Sequence, residues 1–184
     1  MYNMLLLASI PTFVYVIIAI IIIIAIVFLN NYLEKLKLKS ISTKLEIICN
    51  SNNFSLSESV DKRYDKKLET ENIVFYIKFI VIPKNSSITI NSKDTWCLRY
   101  GGGNRKGRNY PNKEYMNYLK PFLNAQFENQ KTVQKLVILY PSTEVVLKYL
   151  NESDIAVVKF NTSAYDVKLI NYTDLDSKFI ELTK

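Results

Sequence analysis

Residues 5–29 form an uninterrupted apolar stretch, LLLASIPTFVYVIIAIIIIIAIVFL, and the first charged side chain of the sequence is Glu34. A helix rises about 1.5 Å per residue, so about 20 such residues cross the hydrocarbon of a bilayer. Pro11 would kink the helix, but Thr12 to Leu29 still supplies about 27 Å of it. A buried core helix is the weaker alternative, because a domain of this length cannot surround such a stretch on every side. The sequence therefore predicts one N-terminal transmembrane helix, with residues 5–29 in the lipid bilayer.

A cleavable signal peptide is the nearest alternative to a retained anchor. Signal peptides begin with a basic segment and have a shorter apolar stretch, whereas Met1 to Ile10 contains no lysine or arginine. We therefore expect the segment to be kept as an anchor. Four lysines follow it closely, at Lys35, Lys37, Lys39 and Lys44. The positive-inside rule then predicts a C-terminal domain on the cytoplasmic or matrix-like side of a bacterial plasma membrane or the mitochondrial inner membrane.

The composition excludes several kinds of catalytic and metal site. The chain has no histidine and two cysteines in 184 residues, so it lacks the commonest acid–base group and the commonest zinc ligand. Two thiolates cannot complete a four-thiolate metal site. Cys49 and Cys97 do not have the spacing of a CxxC redox motif, and we expect them to be reduced and buried. No catalytic residue, metal or cofactor is predicted.

The excess of basic residues is weak evidence for a nucleic-acid partner. The formal net charge is +7, but isoleucine, lysine and asparagine are abundant while glycine, alanine and arginine are scarce. That pattern indicates AT-rich codons, which by themselves favour lysine over arginine. A high isoelectric point is then poor evidence for a nucleic-acid partner. AT-rich coding is typical of some bacteria, parasites and viruses and of organellar genomes.

The predicted fold class is α/β, with one N-terminal transmembrane helix followed by a mixed-sheet α/β domain. We assign residues 1–29 to the membrane anchor and 30–43 to a helical stalk. Residues 44–184 are assigned to a single domain, with a polar loop near 50–71 that is suited to ordering against a partner.

Four strands are predicted in the first half of the domain from β-branched and aromatic residues, at 44–49, 72–83, 87–90 and 95–100. The second of them, NIVFYIKFIVIP, is nearly all apolar. A strand with apolar residues at successive positions is typical of the centre of a sheet that is covered on both faces. We therefore place residues 72–83 in the middle of the domain.

The spacing of apolar residues changes after Pro111. Met116, Leu119, Leu123 and Phe127 recur every three or four residues, which predicts a helix from about 112 to 130. Pro121 lies within it, and either kinks this helix or opens a second, shorter one. The remaining pattern predicts a strand at 133–140, a helix from 142 to 151, a strand at 155–160 and a closing helix at 173–182.

All four glycines fall within seven residues, at Gly101, Gly102, Gly103 and Gly107. Their spacing matches neither the dinucleotide-binding GxGxxG motif nor the P-loop. Four cations in the same segment are the candidate anion-binding or partner-binding residues: Arg99, Arg105, Lys106 and Arg108. They suit a phosphate or nucleic acid, anionic lipid, or an acidic protein partner. A solvated turn without a ligand is the remaining alternative.

From Ile88 onward the chain resembles the later part of the nuclease-related (NERD) domain, a restriction-endonuclease-like module often fused to a membrane segment. The residues that carry the resemblance are Trp96, then Asn109-Tyr-Pro111 near the family's Asn-Pro position, then the predicted helix 112–130 and the apolar strand VQKLVILYP. The resemblance implies a metal-dependent nuclease site with a Glu-x-Lys motif. Ile82-Pro83-Lys84 stands in that place, without the metal-binding glutamate, so the implied site would be inactive.

Two functions are compatible with these features. The first is a non-catalytic, single-pass, membrane-anchored subunit of a larger membrane protein complex, and the codon bias would suit an organelle-encoded subunit. The second is a membrane-tethered, NERD-like nucleic-acid-binding protein or nuclease. Related sequences with a glutamate in place of Ile82 would favour the second function.

Overall fold

A computed structural model describes residues 12–102, 110–151, 154–160 and 162–183. The chain divides into two compact units, the first ending at Lys37 and the second running from Leu38. Helix α1, Thr12–Asn52, contributes residues to both units.

In the first unit, α1 is apolar on all sides. Nearly every side chain from Phe13 to Leu29 is exposed, including a run of five isoleucines that begins at Ile20. The most apolar window of the helix has no buried residue. Among the described residues, α1 is the one helix long and apolar enough to cross a membrane.

The second unit contains eleven strands in its described part. The strands are β1 Ser55–Glu58, β2 Lys66–Glu69, β3 Ile73–Val81, β4 Ser87–Ser92, β5 Thr95–Tyr100, β6 Asn112–Tyr115, β7 Thr132–Tyr140, β8 Val145–Tyr149, β9 Ile155–Val157, β10 Ser163–Ala164 and β11 Val167–Asn171. Its remaining helices are a 3₁₀ turn Asn117–Leu119, α2 Lys120–Leu123, a second 3₁₀ turn Tyr172–Asp174 and α3 Leu175–Leu182.

The strands form two mixed sheets. The first sheet has the order β1-β2-β3-β7-β11-β10, in which β3, β7 and β11 run parallel and the outer pairs run antiparallel. The second has the order β6-β5-β4-β8-β9, in which β4 and β8 are parallel and the other pairs antiparallel. The predicted fold class, an apolar helix followed by a mixed-sheet α/β domain, is confirmed.

β3 lies in the interior of the domain, with apolar residues buried on both of its faces. Val74, Tyr76 and Ile80 belong to a core shared with the second sheet, whereas Phe75 and Ile77 belong to a core shared with the helices. The helical side of that second core is supplied by Ile41, Leu45, Ile48, Leu175, Phe179 and Leu182. The first sheet is therefore covered by α1 and α3 on one face and by the second sheet on the other, and the predicted central strand is confirmed.

Residues 44–49 were expected to form a strand, and this is wrong, because α1 continues through them to Asn52. Ile41, Leu45 and Ile48 are buried while Ile47 is 61% exposed. That three- and four-residue spacing is the pattern of a helix with one face on a core. The predicted polar loop near 50–71 contains the end of this helix and the antiparallel hairpin of β1 and β2.

The predicted helix over 112–130 is also wrong. Its first residues form β6, and regular helix is confined to the 3₁₀ turn and α2. Pro121 lies in the first turn of α2, which agrees with the shorter-helix alternative. Met116, Leu119 and Leu123 are all buried between the two sheets. Their spacing thus reflects real burial without a long helix.

Of the last four predicted elements, three are confirmed at least in part. β7 confirms the strand at 133–140, β9 confirms the first half of the strand at 155–160, and α3 with the preceding 3₁₀ turn confirms the closing helix. The helix from 142 to 151 is wrong, because β8 occupies Val145–Tyr149 and pairs in parallel with β4. The β-branched Val145 and Val146 suit that strand.

Candidate basic site on the second sheet

Arg99 is the one predicted site residue that the structure describes. It lies near the end of β5. Arg105, Lys106 and Arg108 lie outside the described residues. The site is therefore built outward from Arg99 and its neighbours in the second sheet.

Alternation along β5 places Arg99 on the outer face of the second sheet. Trp96 and Leu98 belong to the core between the sheets, and successive side chains of a strand point to opposite faces. Arg99 pairs with Lys113 of β6 on one side and with Ser87 of β4 on the other. These three residues form one row across three strands, which we call the basic row.

Arg99 and Lys113 are directly opposite each other with the same charge. Residues paired in this way have Cβ atoms about 4.5–5.5 Å apart, and like charges at such positions destabilise a sheet. Within the described part of the chain, neither cation forms an ion pair with a carboxylate. The Nε atom of Arg99 is buried without a hydrogen-bond partner. A buried donor left unpaired costs free energy, so this arginine is placed as if to meet an acceptor.

Lys113 is exposed and is held by its neighbour two positions along β6. Its Nζ atom lies 4.9 Å from the ring centroid of Tyr115. A side-chain hydrogen bond with Tyr115 is the main cause that raises the pKa of Lys113. Lys113 is therefore a cation at neutral pH, and the repulsion with Arg99 is not relieved by loss of a proton.

Gly101 gives a structural reason for one of the clustered glycines. It follows β5 with a φ of +85°, a backbone conformation that residues other than glycine rarely adopt. A Cβ atom at this position would lie 2.5 Å from Nδ2 of Asn112, the first residue of β6. Glycine therefore allows the close approach between β5 and β6 that places Lys113 beside Arg99.

Sequence reasoning found Arg99 and missed Lys113 and Ser87. Arg99 drew notice because three of the four arginines lie within ten residues. Lys113 was assigned to the predicted helix over 112–130, and the pairing of β5 with β6 follows from tertiary structure and not from a local pattern. No sequence signal identifies Ser87 as a neighbour of Arg99.

A cavity of about 330 Å³ lies at the carboxyl ends of β7 and β11. Ligands of α/β proteins commonly bind at that edge of a sheet. Its polar groups are largely engaged with one another, since Asn171 Oδ1 accepts a hydrogen bond from the Thr143 amide at 2.9 Å and Lys178 lies 3.3 Å from Asp174. Glu144 and Lys159 also line it, beside apolar residues, and no sequence pattern predicted it.

The segment that resembles a nuclease motif has a different setting in the structure. Ile82 is buried in the core between the sheets, and Lys84 is exposed in the turn that follows β3. Asp65, one of the nearby carboxylates, accepts hydrogen bonds from Lys78 Nζ at 2.8 Å and from the Phe79 amide at 2.6 Å. The described residues include no group of three or more histidine, cysteine, aspartate or glutamate side chains placed to hold a metal ion.

Comparison of the chain with protein families, with curated proteins and with solved structures finds no match.

Proposed function

We propose that this protein is a single-pass membrane protein whose α/β domain is a non-catalytic subunit of a larger membrane protein complex. The observation that carries the proposal is helix α1. Its first part is apolar on all sides and exposed, and its last part supplies Ile41, Leu45 and Ile48 to the core of the domain.

The composition of α1 supports retention of the apolar segment. Exposed apolar side chains from Phe13 to Leu29 need a non-aqueous environment, and the hydrocarbon of a bilayer provides one along the whole length. Regular helix extends without a break from Thr12 to Asn52. A signal-peptide cleavage site is normally a short stretch of small residues after the apolar segment, whereas here that region is the helical sequence NNYLEKLKLK.

The proposed partner is a protein with an acidic surface. Arg105, Lys106 and Arg108 place three cations within four residues of the segment that follows β5 in the sequence. A partner carboxylate would satisfy these charges, and charge complementarity gives an interface specificity. The lysines after the apolar stretch favour a domain on the cytoplasmic or matrix-like side, and an AT-rich coding sequence suits an organelle-encoded subunit.

The test is purification of the full chain in mild detergent with and without the basic segment. We expect the variant with Arg105, Lys106 and Arg108 all changed to alanine to lose its protein partner, because removal of one side of a desolvated charge pair costs several kcal/mol. A matched control changes three exposed lysines elsewhere in the domain to alanine: Lys62, Lys84 and Lys120. The control should keep the partner.

The nucleic-acid alternative gives the opposite result in the same experiment. If these cations bind phosphates of DNA or RNA, the basic-segment variant keeps its protein partner and binds nucleic acid more weakly. The salt dependence of that binding would then flatten by about one unit of log slope for each phosphate that is no longer neutralised. That outcome would contradict the proposed subunit function.

A further inference from the structure

The basic row has the geometry of an anion site. Lys113, Arg99 and Ser87 stand side by side on β6, β5 and β4, and each carries at least one hydrogen-bond donor. Lys113 is exposed, Arg99 is partly buried and Ser87 is 2% exposed, so the row runs from the surface inward. The site is thus built on three strands and not on a mobile surface segment. Strand-borne donors are held in fixed relative positions by the hydrogen bonds of the sheet.

Two features show that the row is incomplete in the isolated domain. The paired cations repel each other without an intervening acid, and the Nε atom of Arg99 is buried without an acceptor. An oxyanion between the two cations would accept from the guanidinium and screen the repulsion. No hydrophobic or neutral polar ligand would do both.

The number of donors favours phosphate over carboxylate. A phosphate group offers three oxygens that accept hydrogen bonds and carries a charge of about −1.5 to −2 at neutral pH. It therefore matches two cations and a hydroxyl approaching from three strands. A carboxylate offers two oxygens and one negative charge, and leaves part of the row unmatched.

We propose that Arg99, Lys113 and Ser87 form a binding site for a phosphate group on the outer face of the second sheet. The site does not depend on the proposed subunit function, because all three of its residues belong to one chain. A phosphate group reaches such a site either as a soluble phosphate or as the headgroup of an anionic phospholipid, and the two sources are distinguished by experiment.

The test is thermal unfolding of the full chain in an uncharged maltoside detergent, followed by circular dichroism. Sodium phosphate is added to one series and sodium chloride of equal ionic strength to the other. We expect the wild-type midpoint to rise with phosphate and to level off, as it does for a ligand that binds the folded state. A rise that is linear and unlimited would reflect general salt exclusion and would contradict a site.

Lys113→Gln is the decisive variant, because Lys113 is exposed and its replacement leaves the core intact. In phosphate-free buffer it should unfold no higher than the wild type, since the hydrogen bond with Tyr115 that raises the pKa of Lys113 is lost together with the repulsion from Arg99. Its apparent phosphate affinity should fall about tenfold or more, since a charge-assisted hydrogen bond is removed. Arg99→Gln should abolish the phosphate response in the same way.

Lys168→Gln is the matched control. Lys168 is also a strand lysine, but it lies in the first sheet opposite Ser163 and Leu136 and not opposite a cation. This variant should keep the phosphate response and show no increase in stability. Absence of a phosphate-specific rise in the wild type, or an equal rise in Lys113→Gln, would overturn the site.

Thermal unfolding of the same protein in nanodiscs distinguishes the two sources of the phosphate group. If the headgroup of an anionic phospholipid fills the site, nanodiscs that contain phosphatidic acid should raise the wild-type midpoint and abolish any further response to inorganic phosphate. If a soluble phosphate fills it, the response to inorganic phosphate should be the same with and without phosphatidic acid. Lys113→Gln should respond about tenfold more weakly than the wild type in both arms, and an undiminished response there would count against the site.

Discussion

Lys135 carries a positive charge in the interior of the domain, where it is 5% exposed. Its Nζ atom donates hydrogen bonds to the Leu123 carbonyl at 2.6 Å and to Asp166 Oδ2 at 2.9 Å. Lys93 Nζ lies 3.5 Å from the same carboxylate oxygen, but its side chain is half exposed. A buried ammonium is tolerated only when its hydrogen bonds are satisfied and a counter-charge is close. Asp166 is thus the residue on which the buried lysine depends.

We expect Asp166→Ala to destabilise the domain by about 2–3 kcal/mol, because it leaves Lys135 buried without a counter-charge. Lys135→Met should cost about 1 kcal/mol or less, because a methionine fills the same space and Asp166 is partly in water. Lys93→Ala should be within about 0.5 kcal/mol of the wild type, as for an exposed ion pair. Urea unfolding of the full chain in detergent measures all three. Equal costs for Asp166→Ala and Lys93→Ala would contradict the assigned roles.

The pH dependence gives a second check on the same pair. Burial raises the pKa of the Asp166 carboxyl, but the Lys135 ammonium bonded to it more than offsets this, and the pKa lies below its ordinary value. Such a carboxylate stabilises the fold above its unfolded-state pKa of about 3.9, and the contribution is lost as the pH falls through the lower folded-state pKa. In Asp166→Asn, stability should therefore depend less steeply on pH below about 4.

At the scale of the elements, β3 and β7 were predictable because each is an apolar run rich in β-branched and aromatic residues. An apolar run of this kind indicates a strand that is buried on both faces, and the run can be seen in the sequence of the strand alone. β8 and β6 were not predictable, because both are short and their pairing partners β4 and β5 are supplied by tertiary structure. The three- and four-residue spacing of Met116, Leu119 and Leu123 predicted correctly that these side chains are buried, but it predicted too long a helix.

The same limit applies to the candidate site. Arg99 could be found because arginine is scarce in this chain and three of the four arginines are clustered. Lys113 could not, because its place beside Arg99 depends on the register of β5 against β6. Gly101, next to β5, has a φ of +85°, and apolar spacing does not encode that conformation.

Two substitutions distinguish the helix over 44–49 from the strand that the sequence suggested. In a strand, Leu45 and Ile47 would point to the same face. In α1, Leu45 is fully buried and Ile47 is 61% exposed. We expect Leu45→Ala to cost about 2–5 kcal/mol and Ile47→Ala less than about 0.5 kcal/mol. Chemical unfolding measures both, and similar costs for the two variants would contradict the helical assignment.

At the scale of the whole molecule, one chain combines an apolar helix suited to a bilayer with a two-sheet domain that has its own cores. A single-pass topology fixes the domain on one side of the membrane. The predicted side, cytoplasmic or matrix-like, rests on the lysines that follow the apolar stretch. The two native cysteines, Cys49 and Cys97, are free and each 1% exposed, so they interfere little with a thiol-labelling experiment.

We therefore expect Lys184→Cys to resist an impermeant thiol reagent in intact cells or in vesicles of native orientation, and to react after permeabilisation. Asn3→Cys is the matched control on the other side of the apolar stretch, and it should react in both conditions. The unmodified chain should remain unlabelled in native detergent and become labelled on unfolding. Ready labelling of Lys184→Cys in intact cells would overturn the predicted side.

The parallel pairing of β3 with β7 has a consequence for synthesis on the ribosome. β3 can pair with β2 as soon as it is synthesised, because β2 precedes it in the chain. Its other neighbour, β7, begins only at Thr132, which pairs with Ile73. Paired residues of the two strands are 59 positions apart (132 − 73), so at about 5–20 residues per second β3 waits several seconds for its second neighbour. During that interval the nascent chain exposes the unpaired edge of a strand in which Lys78 is the one charged residue, and such an edge favours aggregation. We therefore expect the yield in a cell to depend on protection of this edge during translation as well as on the stability of the finished domain.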